Sequence, residues 1–235
     1  ILPGVLPASI PSDGVAFRME KNALKNVAYD HLLAQICSGG MAPNTPIVEQ
    51  DISRLLNISR TPVREALKQL EMEGLVTHIP SRGTFVRELT LQDINEIYQI
   101  RKLFEMAALT QAVHLIPEEE LDEMEKELTS IGDTSEEEDF YHADRHLHST
   151  LLKYAYNTRM VAFYDILNAQ IERIRRISSA TPRRLAASKA EHLAIIRAIR
   201  SRDLDASSQA LSSHIDNVQK SALRVFDSMR MGLKY

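Results

Sequence analysis

The sequence predicts a mainly α-helical chain in two unlike parts, and three observations carry that prediction. At about 150 residues per domain, the 235 residues make roughly one average domain and a smaller partner. Most of the 8 glycines and 9 prolines fall in the first ninety residues, and after about Glu88 an apolar period of 3.6 residues takes over. The change falls near Arg87–Thr90, where Thr90-Leu-Gln-Asp93 reads as a helix start of the capping-box kind, with aspartate in the place usually held by glutamate or glutamine.

Composition narrows the function classes. Apolar residues at 44% and charged residues at 26% are ordinary for a globular protein with a buried core. A formal net charge of −4 gives no global positive field, so any contact with nucleic acid must come from a local patch. One cysteine excludes an internal disulfide framework and any cysteine-rich zinc module, and it suits a reducing compartment. No run approaches the roughly 18 apolar residues of a membrane span. The opening ILPGVLPASIPSDG is apolar, but three prolines and two glycines interrupt it and no basic segment precedes it. Residues 1–21 are therefore expected to be a flexible leader, and the protein to be cytoplasmic with no membrane partner.

The first helix is expected over Asn22–Ser38, with Leu24, Val27, Ala28, Leu32 and Ile36 on one stripe and Gly39-Gly40 as its stop. A short second helix, about Val48–Leu56, turns Ile52, Leu55 and Leu56 inward, and Asn57 tolerates the left-handed backbone of a tight turn. The third helix runs from about Thr61 to Glu73: Thr61 caps it, Pro62 suits its first turn and Gly74 ends it. Val63, Ala66, Leu67 and Leu70 form its packing stripe, and Arg60, Arg64 and Lys68, four apart, form a basic stripe on another face. Next come two β-prone runs, Leu75–Ile79 and Thr84–Val86, around Pro80-Ser-Arg-Gly83, a hairpin with Arg82 at its tip. A basic stripe alone solvates many helices. Followed by an Arg-tipped hairpin, it makes a winged helix-turn-helix.

Ser59-Arg-Thr-Pro-Val-Arg-Glu-Ala-Leu67, Leu70-Glu-Met-Glu-Gly-Leu-Val76 and Pro80-Ser-Arg-Gly83 resemble the reader domain of the GntR family of bacterial transcription regulators. The resemblance covers about residues 22–88. It implies that Arg60, Thr61 and Arg64 enter the major groove, with Lys68 on the same basic face, and that Ser81, Arg82 and Gly83 reach the minor groove. Gln50 stands where some fatty-acid-responsive members carry an arginine, so their operator preference does not transfer.

Residues 89–235 read as about six helices. The stretch Pro117–Phe140 is strongly acidic and reads as a solvated helix and a polar loop. In a helix starting near Asp139, Phe140, Leu147, Leu151 and Tyr154 define an inward face, and Asp144 and His148 sit in the middle of it. His142 and His146 share that i, i+4 spacing but fall on the solvated side. His192 lies on a stripe with Leu185, Ile196 and Ile199, and His214 on one with Leu211 and Val218. A carboxylate and three imidazoles on buried stripes suit a divalent transition metal (zinc first, then nickel, manganese or iron) with coordination positions left over. Arg101 interrupts the apolar stripe Ile94, Ile97, Phe104, Ala108, so its guanidinium needs an anion there: a ligand carboxylate or an internal acid.

The order Ile97-Tyr-Gln-Ile-Arg101…Glu105, Asp144-x3-His148, Glu191-His192 and His214 resembles the FCD effector domain of FadR-type GntR regulators, over about residues 90–228. That resemblance implies an all-α bundle that dimerises, a metal held by Asp144, His148, His192 and His214, and a small carboxylate effector near the metal and Arg101. The expected protein is a regulator, a repressor by preference, binding an inverted repeat in double-stranded DNA as a homodimer. The alternative class is a metal-dependent enzyme acting on a small carboxylate, for which no general base or nucleophile stands out. A third possibility is a purely structural metal. Cys37, His31, His114 and the 8 methionines carry no chemistry and read as packing or ordinary surface residues.

Overall fold

The computed structural model describes residues 13–132, 135–179 and 182–231. Two compact units result, Ile1–Glu88 and Leu89–Tyr235. The first contains α1 (Asp13–Cys37), β1 (Pro46–Ile47), α2 (Glu49–Leu56), α3 (Arg60–Met72), β2 (Val76–Ile79) and β3 (Gly83–Val86). The second contains α4 (Leu91–Leu115), α5 (Glu118–Ser130), α6 (Glu137–Tyr154), α7 (Thr158–Ser178), α8 (Pro182–Arg200) and α9 (Leu204–Arg230).

The first helix starts at Asp13, not Asn22, so residues 13–21 of the expected leader are helical. Between Gly14 and Gly39 no glycine or proline interrupts the chain, and the helix runs on until Gly39 takes φ +79°. Residues 1–12 of that leader lie outside the described residues. Helix α1 packs on α3 through Ala28, Leu32 and Ile36, whereas Val27, one position off that line, is 49% exposed against expectation. In α2 only Ile52 is fully buried. Leu55, expected inside, is 66% exposed, because a helix of two turns turns one narrow face to α3.

Asn57 adopts φ +53°, and its N–H returns to the carbonyls of Arg54 and Ser53, so the tight turn is made by a left-handed asparagine. Ser59, not Thr61, holds the N-cap position of α3, and its side chain makes no capping bond. At the other end Gly74 (φ +74°) allows Leu75 N–H to reach Leu70 C=O at 2.9 Å and its own N–H to reach Glu71 C=O at 3.0 Å. That pattern satisfies the last carbonyls of α3 and seats Leu75 next to Leu70, both fully buried. The hairpin is antiparallel with Val76 opposite Val86 and Ile79 opposite Gly83. Strand β1, not expected from the sequence, joins it in the order β1-β3-β2, with Pro46 opposite Phe85.

In the second unit α4 lies beside α9, α6 and α7, while α8 packs on α9 and α5. The Thr90 box closes in both directions: Asp93 N–H donates to Thr90 Oγ1 at 3.0 Å and Thr90 N–H to Asp93 Oδ2 at 2.9 Å. The acidic α5 is solvated on one face only, since Leu121, Met124 and Leu128 are buried in the core with Ile94, Leu109, Leu147, Ile195 and Ile215. The methionines divide: Met124 is core, whereas Met72, Met229 and Met231 are exposed.

Candidate nucleic-acid interface and metal centre

With Val63, Ala66, Leu67 and Leu70 buried, the period of α3 forces Arg60, Thr61, Arg64 and Lys68 onto its outer face, where all four are exposed. Two of them are already engaged. Glu49, in the first turn of α2, accepts from Arg64 Nε at 3.0 Å and Nη2 at 2.8 Å, and from Arg60 Nη2 at 3.2 Å. The Arg64 hydrogen bonds hold the Glu49 carboxyl below its ordinary value. At the hairpin tip Ser81 (φ +62°), Arg82 and Gly83 (φ +98°) are exposed, and the Arg82 guanidinium lies 5.9 Å from the Phe85 ring centre.

In the second unit Asp144 and His148 (α6), His192 (α8) and His214 (α9) meet, all buried, with one donor atom from each within 4.8 Å of the others. His192 Nε2 is 3.2 Å from His214 Nε2 and 3.5 Å from Asp144 Oδ2, and His148 Nε2 is 3.7 Å from Asp144 Oδ1. A divalent ion with ligands at about 2.0–2.1 Å in a tetrahedron sets its donors roughly 3.3 Å apart, so this spacing fits.

Two carboxylates outside the cluster fix the ring tautomers. His148 Nδ1 pairs with Glu105 Oε2 at 2.6 Å, and His214 Nδ1 with Glu191 Oε2 at 2.8 Å. A proton held on each Nδ1 leaves each Nε2 lone pair facing the cluster. Burial pushes His192 well below the ordinary imidazole value and His214 down to about 4, so both are neutral at neutral pH. His148 Nε2 and Asp144 Oδ1, both buried, have no hydrogen bond. Asp144 Oδ1 is 2.8 Å from Arg175 Nε, an ion pair without hydrogen-bond alignment. Burial would raise Asp144, yet Arg175, His148 and His192 hold it well below the carboxylate range. The neutral imidazoles of His192 and His214, an ionised Asp144 and buried atoms without hydrogen bonds are what a metal needs.

Arg101 is 1% exposed and has an internal partner: its Nε donates to Glu105 Oε1 at 2.7 Å and Nη1 to Tyr98 Oη at 3.3 Å, while Nη2 has no hydrogen bond. Glu105 also accepts from Tyr164 Oη at 2.6 Å, and Arg101 and His148 hold it below the carboxylate range although burial opposes this. Beside the cluster is a cavity of about 100 Å³, lined by His148, Arg175, Tyr164, Leu152, Val161 and Arg145 but not by Arg101.

Arg175 and Glu49 carry no expectation from the sequence, and Glu105 and Glu191 stand in the FCD-like order without an assigned role. Glu105 follows Arg101 by four residues on the same helical face, a signal that could have found it. His142 is exposed as expected. His146 is half-buried against expectation, with Nδ1 2.8 Å from Glu127, and neither joins the cluster. Cys37 is buried at the end of α1.

A winged helix-turn-helix with a basic outer helix face, followed in the chain by a helical unit built around a buried Asp/His cluster, is the make-up of a DNA-binding transcription regulator. Residues 24–86 match the family described as bacterial regulatory proteins, gntR family, and residues 96–217 match the FCD domain. The chain belongs to the GntR family of transcription regulators, among those that carry an FCD domain. It is 28% identical over 190 residues to the HTH-type transcriptional repressor RspR of Escherichia coli (strain K12), covering 79% of this chain and 82% of that one. Its fold is similar to that of E. coli McbR/YncC (TM-score 0.73, 18% identity, 88% of this chain and 98% of that chain). It is also similar to the Zn²⁺-bound FCD domain of TM0439 (TM-score 0.53, 22% identity, 58% of this chain and 96% of that chain). Among the described residues no helix is long and apolar enough to cross a membrane.

Proposed function

We propose that the protein is a ligand-responsive repressor in which residues 22–88 read DNA and residues 89–235 bind a metal and an effector and dimerise. A homodimer presents two copies of α3 to an inverted repeat in double-stranded DNA. Arg60, Thr61, Arg64 and Lys68 enter the major groove, and Ser81, Arg82 and Gly83 reach the minor groove. Asp144, His148, His192 and His214 hold a divalent metal, for which zinc is the first choice given the donor set and the Zn²⁺-bound FCD fold neighbour. When bound, it supplies a Lewis-acidic position for a carboxylate oxygen.

This chain's own residues do the rest. Glu105 and Glu191 orient two imidazoles, and Arg175 balances Asp144. The small cavity at His148 and Arg175 is the proposed seat of a short organic acid, which has to reach past the cavity lining to meet Arg101 Nη2, left without a hydrogen bond. Effector binding favours the dimer geometry in which the two reading helices are mis-spaced on the operator. The chromosome it would read places the protein in the cytoplasm.

The observation that carries the effector half is that two residues with a buried atom lacking a hydrogen bond, His148 (Nε2) and Arg175 (Nε), line the cavity. The test is selection of genomic fragments by the zinc-loaded protein at about 150 mM salt, where non-specific phosphate binding is weak. An enriched inverted repeat is expected, and carboxylates suggested by the neighbouring genes should release it. Stabilisation by zinc but by no carboxylate would reduce the metal to a structural role.

A further inference from the structure

Two cations proposed to read DNA share one anion, and how they share it is specific. An arginine side chain offers two forks, Nε with Nη2 along its side and Nη1 with Nη2 at its end. Glu49 occupies the side fork of Arg64 with both of its oxygens, at 3.0 and 2.8 Å. The end fork, the one that matches guanine O6 and N7, is not the one that Glu49 occupies, and the side chain is 54% exposed. The same carboxylate takes one Nη2 hydrogen of Arg60 at 3.2 Å. Glu49 is anchored for this task. It sits in the first turn of α2, where the helix dipole favours an anion, and its side chain is 25% exposed while those of Arg60 and Arg64 are 59% and 54% exposed. Arg64 lies fifteen residues from Glu49 and Arg60 eleven, so the contact ties α2 to the outer face of α3.

We infer that Glu49 is a specificity-determining residue of the DNA reader, splinting Arg64 and Arg60 so that they meet base edges in one pose. It rests on the major-groove role proposed above for α3. Glu49 contacts no base in this scheme; it is a positioning residue. It acts in two ways. A splinted guanidinium loses less side-chain freedom on reaching a guanine. The carboxylate also cancels part of the charge that would hold the two arginines on any phosphate, and so it selectively weakens sequence-independent binding. An arginine without the splint would swing to the nearest phosphate on any duplex. Among the neighbouring acids, Asp51 lies in the same turn of α2 but pairs only loosely with Arg54, at 3.8 Å, and contacts neither reading arginine. It is a charge-matched control.

The experiment uses the full chain and two duplexes of equal length, the fragment recovered by genomic selection and a scrambled version, with affinities measured at two salt concentrations. Glu49→Ala is expected to bind the scrambled duplex more tightly, with a steeper salt dependence, and the selected fragment no more tightly. The ratio of the two affinities should fall about tenfold, the size of one well-formed arginine–guanine contact. Glu49→Asp keeps the charge but shortens the reach. It should lower the ratio while leaving scrambled-duplex binding in place, and it covers the case in which the alanine variant folds poorly. Asp51→Asn should change both affinities by the same factor. If Glu49→Ala and Glu49→Asp leave the ratio unchanged while Arg64→Ala lowers it, Glu49 is a plain surface acid and the inference is overturned. If Arg64→Ala also leaves the ratio unchanged, α3 is not the reader and both proposals fall.

Discussion

Replacing Glu105 by glutamine tests the buried network around the metal cluster at its most connected point. The change is isosteric, but it removes the carboxylate paired with the Arg101 guanidinium and the fixed acceptor of His148 Nδ1, which are 2.7 and 2.6 Å away. Both side chains of the ion pair are at most 1% exposed, so solvent cannot take over the role of the lost carboxylate. Breaking one side of such a buried pair costs about 3–5 kcal/mol. In a unit of this size that loss lowers the melting temperature by roughly 6–20 °C. The assay is chemical and thermal unfolding of the metal-free protein, which isolates the ion pair from metal binding. The double variant Arg101→Met with Glu105→Gln removes both charges and should recover at least half of the loss, because no uncompensated cation then remains. A Glu105→Gln protein less than 1 kcal/mol below the parent would refute this account of Arg101. It would mean that the guanidinium finds another anion or reaches water.

Three further outcomes follow from other sites. Glu105→Gln should also weaken zinc binding by about 10–100-fold, the usual cost of losing a residue that orients a ligating imidazole, measured by competition with a chelating dye. Burial and the Glu73 carboxylate 2.7 Å away push the Tyr29 hydroxyl far above its ordinary value, so the native state keeps a proton that the unfolded state gives up above about pH 10. Stability of the DNA-reading unit should be full below that pH and fall as pH rises past it, and Tyr29→Phe should flatten that alkaline slope in melts at pH 9 to 11. Asn57, at φ +53°, should accept glycine within a few tenths of a kcal/mol but lose about 1–2 kcal/mol as valine, read by urea unfolding.

The parts of this molecule legible in the sequence are those in which one helix carries the whole signal. The packing stripe of α3 and the pair Asp144/His148 follow helical spacing, and the capping box at Thr90 is a four-residue motif, so local pattern alone placed them. His192 and His214 were visible for the same reason, as imidazoles on apolar stripes. What escaped depends on neighbours distant in the chain. Glu49 reaches Arg64 across a turn, Arg175 meets Asp144 from another helix, and Glu191 steers an imidazole twenty-three residues away. No local pattern encodes those encounters. Strand β1 is two residues long, too short for alternation to show, and Leu55 and Val27 failed because a short or half-covered helix buries less than its apolar stripe allows.

The order in which the chain is made gives the metal cluster a property of its own. Everything needed for the winged unit has been synthesised by Glu88, whereas the cluster draws on α6, α8 and finally α9. His214 emerges about 125 residues after Glu88, which at about 5–20 residues per second is several seconds to half a minute later. α4 waits through the same interval for α9, its principal packing partner. A nascent chain can therefore own a folded reader well before it owns a place for an ion, and until then the donors of α6 are exposed to whatever the cell offers. In a newly made molecule, the proposed metal site is complete only once α9 has been made.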